Sequence, residues 1–291
     1  MTAIAFIGLG IMGAPMAGHV LAAGHTLHLH SRTRAKAAAL IEAGGIWHDH
    51  PSDAAAQADV VITIVGLPSD VEQLYLSAGG LLERAKPGAI LIDMTTSTPS
   101  LAVRIAAEAA TRDLSAIDAP VSGGPGGAES ASLSIMAGGG DQAFAAALPV
   151  LQLMGATIVH QGGPGAGQHT KMANQIVIAG NMLGAAEGLA YARVVGLDPA
   201  RVLASIGTGA AGSFLLNAMG PRMLSEDFAP GFMITHFLKD MTIALTEAEA
   251  RGLDLKGLHT AIKQYSKLAE AGLEREGTQA LTKAYRVQAT P

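Results

Sequence analysis

Lys171 is followed by Asn174 at i+3 and Gln175 at i+4, so on a helix one amine and two amides share a face. The run Gly162-Gly163-Pro164-Gly165-Ala166-Gly167 leads into that helix and puts the lysine in its early turns. The positive end of a helix disfavours an ammonium ion, and partial burial acts in the same direction. Both draw the amine toward a neutral pKa, where a general acid or base works best. A lysine on a helix is ordinarily a solvated charge, but the neighbours of this one are mostly small or apolar.

A second group of residues is suited to a phosphate. Gly8-Leu9-Gly10-Ile11-Met12-Gly13 follows the apolar run 4–7 and precedes the apolar segment 14–23, a strand, a G-x-G-x-x-G turn and a helix in order. The first glycine permits the tight turn, the second lets backbone approach a pyrophosphate, and the third lets the helix pack closely on the strand. The helix amides would then face the anion. Enzymes that use NAD commonly carry Asp or Glu about twenty residues further on. Here that place reads His30-Ser31-Arg32-Thr33-Arg34, with no carboxylate. Two guanidiniums and two hydroxyls could hold a 2′-phosphate, or the arginines could simply be solvated. NADP(H) is the expected cofactor, with NAD(H) possible.

Two further segments offer hydroxyls and turn amides. Asp118-Ala119-Pro120-Val121-Ser122-Gly123-Gly124-Pro125 follows a strand-like run and could hold a carboxylate in a backbone nest, or form an ordinary β-turn. Thr95-Thr96-Ser97-Thr98-Pro99 follows another and could face a ligand or cap the next helix.

The elements that must position these groups are strand-like runs at 4–7, 26–30, 60–65, 89–93, 115–119, 132–137 and 157–160, with helical segments between them. Such alternation marks a doubly wound α/β sheet. From 166 onward only helical periods remain, at about 166–195, 200–206, 214–223, 234–251 and 256–271. The expected organisation is a Rossmann domain over 1–163 and an all-helical domain over 164–291, with 286–291 frayed. The helical part is so rich in Gly and Ala that packing against a second copy, as a homodimer or homotetramer, is expected.

Composition narrows the function. The 291 residues suffice for two domains, and 49% apolar with 4% aromatic residues leaves Ala, Gly, Leu, Ile and Val to fill the core. A net charge of -5 offers no general attraction to nucleic acid. The absence of cysteine excludes disulfides, Cys-based metal sites and a Cys nucleophile, and fits a reducing compartment such as the cytoplasm. No basic residue precedes the first apolar run, unlike a secretory signal. The apolar stretch 176–197 carries Asn181, Glu187 and Arg193, so a membrane span is not expected. No His/Asp/Glu spacing resembles a metal site.

Four motifs in order, Val-Gly-Leu-Pro at 65–68, Asp-Ala-Pro-Val-Ser-Gly-Gly at 118–124, Gly-Ala-Gly-Gln-His-Thr-Lys-Met-Ala-Asn-Gln at 165–175 and His-Phe-Leu-Lys-Asp at 236–240, resemble the β-hydroxyacid dehydrogenase family over nearly the whole chain. Lys-x-Ala-Asn-Gln at 171–175, Ala-Gly-Ser at 211–213 and Phe-x-Pro-Gly-Phe at 228–232 resemble the reductases of tartronate semialdehyde (2-hydroxy-3-oxopropionate), glyoxylate and succinic semialdehyde within it. The resemblance implies Lys171 as catalytic acid or base, Ser122, Gly123 and Gly124 on the substrate carboxylate, and Thr96 at both cofactor and substrate. It implies Asn174 and Gln175 beside the lysine, Leu67 and Pro68 lining the cofactor, Lys239 in contact with it, and Phe232 and Asp240 bordering the site. One departure stands out: many 3-hydroxyisobutyrate and 6-phosphogluconate dehydrogenases carry Asn where this chain has Gln175.

The implied reaction interconverts a small aldehyde acid and its hydroxy acid. Alternatives are 3-hydroxyisobutyrate oxidation, imine reduction and a non-catalytic nucleotide-binding module. Lys171 argues against imine reductases, which usually lack the lysine. A sugar phosphate is disfavoured because the pocket segments hold little Arg apart from Arg222. His236 lies near the expected site and could equally be structural.

Overall fold

The computed structural model describes residues 1–285 and divides into two compact units, one ending at Lys171 and the other beginning at Met172. The segment 286–291, expected to fray, lies outside the described residues.

The first unit is a nine-stranded sheet: β1 Ala3–Ile7, β2 Thr26–His30, β3 Ile46–Trp47, β4 Val60–Thr63, β5 Ile90–Asp93, β6 Ser115–Asp118, β7 Val121–Ser122, β8 Leu133–Gly138 and β9 Gly155–Gly162. Its order, β3-β2-β1-β4-β5-β6-β8-β7 with β9 beside β8, contains the doubly wound 3-2-1-4-5-6 pattern. The strands from β3 to β6 pair in parallel, whereas β8 runs antiparallel to β6 and β7. Strands β3 and β7 contain two residues each and are too short to show a hydrophobic period in sequence.

Alternation along β1 assigns the two faces. Ile4 and Phe6 enter one core with helices Gly13–Ala22 and Asp141–Leu151, while Ala5 and Ile7 enter another with helices Pro68–Leu76 and Pro99–Ala110. Burial on both faces explains why the central strands read as continuous apolar runs. The register aligns Ile7 with His30 and Thr63, Thr63 with Asp93, and Asp93 with Asp118. The loops beyond these residues therefore leave one sheet edge at one level.

Helix Ala166–Val194 begins in the first unit and continues as the first element of the second. Strand β9 ends at Gly162 and the helix begins at Ala166, and the compact units part inside this helix rather than at the expected 163/164. Hydrogen bonds from its first turns to the sheet account for the difference. In the second unit, helices Pro199–Ile206, Phe214–Leu224, Ile234–Glu249 and Lys256–Leu268 follow, around Met182, Leu189, Met223, Phe237, Met241 and Tyr265. The last stops short of the expected 271 and passes into Ala269–Leu273, where Gly272 takes φ 82°. Among the described residues, no helix is long and apolar enough to cross a membrane.

Candidate active site

At the end of β1 the three glycines have different surroundings. Gly8 adopts φ 102°, its N–H donates to the His30 carbonyl at 2.9 Å, and a Cβ there would collide with the Ile64 carbonyl. A Cβ on Gly13 would collide with the Gly8 carbonyl, so close packing requires glycine there too. Around Gly10 nothing lies within 4 Å of where a Cβ would stand. The outer glycines close the turn and the middle one opens it to an incoming group, an arrangement that fits a pyrophosphate. Leu9 is buried under the turn, Met12 packs against the core, and Ile11 stands 62% exposed.

Beyond β2, Ser31 is half-buried while Arg32, Thr33 and Arg34 are exposed. The local sequence offers no carboxylate here, but the fold supplies one. Asp70 lies 3.7 Å from the Arg32 guanidinium and also accepts from the Leu67 N–H at 3.1 Å. Asp70 belongs to helix Pro68–Leu76, far from Arg32 in sequence, so spacing after the glycine turn could not reveal it. The same bond shapes the entry to the helix, where Leu67 is exposed and Pro68 opens the first turn.

The ends of β4 and β5 hold a buried polar network. Thr63 Oγ1 donates to Asp93 Oδ1 at 2.8 Å and lies 2.8 Å from the Tyr75 hydroxyl. Since Thr63 has one proton and gives it to the carboxylate, Tyr75 must be the donor to Thr63. Asp93 Oδ1 also accepts from the Thr95 N–H at 3.1 Å, and Thr95 Oγ1 accepts from the Val65 N–H at 3.0 Å. Burial pushes the Asp93 carboxyl up to about 6; the bonds from Thr95 and Thr63 oppose that shift, and Asp118 adds to it.

Asp118, at the end of β6, receives the helix that carries Lys171. Its Oδ1 accepts from the Gly165 N–H and its Oδ2 from the Gln168 N–H, both at 2.8 Å. A carboxylate thus satisfies amides that a helix start leaves without intrahelical partners. Burial nonetheless raises the Asp118 pKa, outweighing these bonds. Gln168 is fully buried; its Oε1 accepts from the Ser97 N–H at 2.9 Å and its Nε2 donates to the Thr95 carbonyl at 2.7 Å. One turn later Lys171, only 7% exposed, donates from Nζ to the Val121 carbonyl at 2.8 Å. Ser122 follows immediately, and Gly123 and Gly124 take φ 129° and 63°, left-handed values that favour glycine. The lysine and the 121–124 turn, distant in sequence, therefore meet within the first unit, and Thr96 lies between the two residues that Gln168 holds.

In the second unit, Asn174 Nδ2 donates to Gln175 Oε1 at 2.7 Å, and Gln175 Nε2 donates to Asp240 Oδ2 at 2.6 Å. The Lys239 ammonium lies 2.9 Å from Asp240 Oδ1, off the hydrogen-bonding direction and hence as an ion pair. Gln175 and Asp240 are buried, and the chain of bonds runs from Asn174 through Gln175 to Asp240. Phe232, partly exposed, stacks on His236 with ring centroids 6.4 Å apart. Burial, and then Lys239, lowers the His236 pKa, while Asp240 acts the other way.

Residues 3–163 match the family model described as the NAD binding domain of 6-phosphogluconate dehydrogenase, and 165–285 match NAD-binding of NADP-dependent 3-hydroxyisobutyrate dehydrogenase. The 2-hydroxy-3-oxopropionate reductase of Escherichia coli is 34% identical over 98% of each chain. The chain belongs to the β-hydroxyacid dehydrogenase family. An uncharacterized oxidoreductase of Bacillus subtilis is 52% identical to this β-hydroxyacid dehydrogenase over 97% of its length and 98% of the relative's. A solved 3-hydroxyisobutyrate dehydrogenase of Mycobacterium tuberculosis, with L-serine, superposes with a TM-score of 0.89 at 31% identity, covering 99% of this chain and 100% of that one. The chain is an oxidoreductase acting on the CH–OH of hydroxy acids with a nicotinamide cofactor.

The motifs assign no role to Gln168, Asp93 or Asp70. Gln168 had a signal, since it lies three residues before Lys171 on the same helix. Asp93 ends an apolar strand, where a lone carboxylate could have marked a buried acceptor. Asp70 had none beyond its place in the first turn of a helix.

Proposed function

We propose that this β-hydroxyacid dehydrogenase reduces a small aldehyde acid to its hydroxy acid, with tartronate semialdehyde as the substrate type and NADP(H) as the preferred cofactor. The observation that carries the reading is the buried Lys171 amine, 2.8 Å from the Val121 carbonyl and beside the Ser122–Gly123 turn. The glycine turn would hold the pyrophosphate of a nicotinamide dinucleotide, which when bound would supply or accept the hydride. Lys171 gives a proton to the substrate's carbonyl oxygen in reduction and takes it from the hydroxyl in oxidation. Ser122 and the amides at Gly123 and Gly124 hold the carboxylate, which sets the carbonyl oxygen toward the amine. Thr96 borders cofactor and substrate, and Asn174 stands one helical turn from the lysine. General acid catalysis of this kind contributes roughly 10²- to 10⁴-fold.

Ser31 and Arg32 support the NADP(H) preference: a hydroxyl and a guanidinium suit a 2′-phosphate. Asp70 opposes it, but an exposed ion pair at 3.7 Å is weak and a dianion competes well against it. The matched domain's description, naming an NADP-dependent enzyme, agrees with this reading. The same description and the Mycobacterium structure favour 3-hydroxyisobutyrate as a second substrate reading. The test is kcat/KM for glyoxylate and for tartronate, succinic and methylmalonate semialdehydes, and for their hydroxy acids, with both cofactors. Highest values with tartronate semialdehyde and NADPH are expected, and Ser31→Asp with Arg32→Ala erodes the cofactor preference. Better use of methylmalonate semialdehyde and 3-hydroxyisobutyrate selects the second reading, and a clear advantage for NADH overturns the cofactor assignment.

A further inference from the structure

We propose that Gln168 is the positioning residue that keeps the Thr96 loop in register with Lys171, an inference that rests on the roles given to Thr96 and Lys171 above. Its amide engages the backbone on both sides of Thr96, accepting from the Ser97 N–H at 2.9 Å and donating to the Thr95 carbonyl at 2.7 Å. Residues 96–98 have no strand or helix of their own, lying between β5 and helix Pro99–Ala110. The peptide groups flanking Thr96 are thus set by a side chain of the lysine's helix. The backbone N–H of Gln168 is tied in turn to Asp118 at the end of β6, and Lys171, three residues on, reaches Val121 just beyond that strand. One residue therefore links the Thr96 loop, the β6 end and the start of the lysine's helix.

The chemistry requires a neutral amide. Donor and acceptor must sit on one planar group, in a place from which water is excluded. Methionine would fill the volume but leave a buried N–H and a buried carbonyl unpaired. Ionised glutamate would keep the bond to Ser97 and turn a carboxylate oxygen toward the Thr95 carbonyl. Once protonated, it regains a donor and mimics glutamine.

The experiment compares Gln168→Met, Gln168→Glu, Thr96→Val and the double variant Gln168→Met/Thr96→Val, by kcat below each variant's Tm and by backbone hydrogen exchange across 95–98. A misplacement of about 1 Å costs about 10²-fold in rate, so Gln168→Met should lose about 10- to 100-fold in kcat and exchange faster at Ser97. Because Gln168 acts through the Thr96 loop, the double variant should be no slower than the slower of the two single variants. Gln168→Glu should approach the wild-type rate as pH falls, a recovery that a merely structural role would not produce. Losses that multiply in the double variant, or a lowered Tm with wild-type kcat, overturn the proposal; so does a Gln168→Glu to wild-type ratio that stays flat with pH. A wild type that turns over none of the acids overturns the function reading alone. The clamp is then judged by exchange, with faster Ser97 exchange in Gln168→Met supporting it and unchanged exchange overturning it.

Discussion

Where β1 and β2 end, the sheet edge presents exposed side chains and a glycine turn; where β5 and β6 end, it presents buried carboxylates, an amide and an amine. Ile11 is 62% exposed and the Arg32 side chain 85%, while Gln168 is wholly buried and Lys171 nearly so. The first region is shaped by backbone, with Gly8 and Gly13 packed against carbonyl groups and Gly10 open. The second is shaped by side chains bonded to backbone, through Asp93, Asp118 and Gln168. A charged dinucleotide needs amides and solvated cations that it can meet from outside. A proton donor needs fixed direction and distance, which only a buried and satisfied network supplies.

Perturbing one region while measuring the other tests this division. The largest effect is expected from Lys171→Ala, which should cost about 10²- to 10⁴-fold in kcat, or about 3 to 5 kcal/mol in the barrier. Fluorescence titration should find the NADPH Kd unchanged; a parallel loss of cofactor affinity would show that the two regions act as one.

Asp93→Asn should change the pH dependence of stability. Its carboxyl rises from 3.8 to about 6 on burial, so the folded chain binds the proton more tightly than the unfolded chain. The stabilisation from this group is full below about pH 4 and is lost as pH rises through 6. Urea unfolding should therefore show the wild type losing stability relative to Asp93→Asn from pH 4 to 7, by at most about 3 kcal/mol. Parallel curves would contradict the assigned perturbation. Some slope should remain in the variant, because the Asp118 pKa is raised as well.

The smallest effect belongs to Asp70→Asn. Removing the half-buried partner of a largely exposed Arg32, a pair worth about 0 to 1 kcal/mol, should raise the ratio of kcat/KM for NADPH over NADH by no more than about fivefold. An unchanged ratio would mean that Arg32 is effectively solvated, making the first region still more dependent on backbone alone.

Much of the first region was legible because its requirements are local. Glycine spacing, a preceding apolar run and a following helix occupy consecutive residues, and the structure puts each where the pattern implies. The placement of Lys171 in the early turns of a helix was legible for the same reason, from the glycines before it. Asp70 was not: it reaches Arg32 from another helix, and no spacing rule connects β2 with helix Pro68–Leu76. Gln175 and Asp240 carried motif signals, but their burial against one another could be seen only after folding.

By itself, the sequence determined the alternation of strands and helices, the later run of helices alone, the glycine turn and the chemical types of side chain on offer. These follow from hydrophobic period, glycine conformation and side-chain chemistry, all properties of short segments. Only the tertiary structure decided that Ile7, His30, Thr63, Asp93 and Asp118 end level on one edge, and that Lys171 meets the turn after β6. It also decided that Asp118 and Gln168 bind the lysine's helix to that edge. The physical reason is that strand order and register come from burial on both faces of the sheet, a condition set by all the strands together.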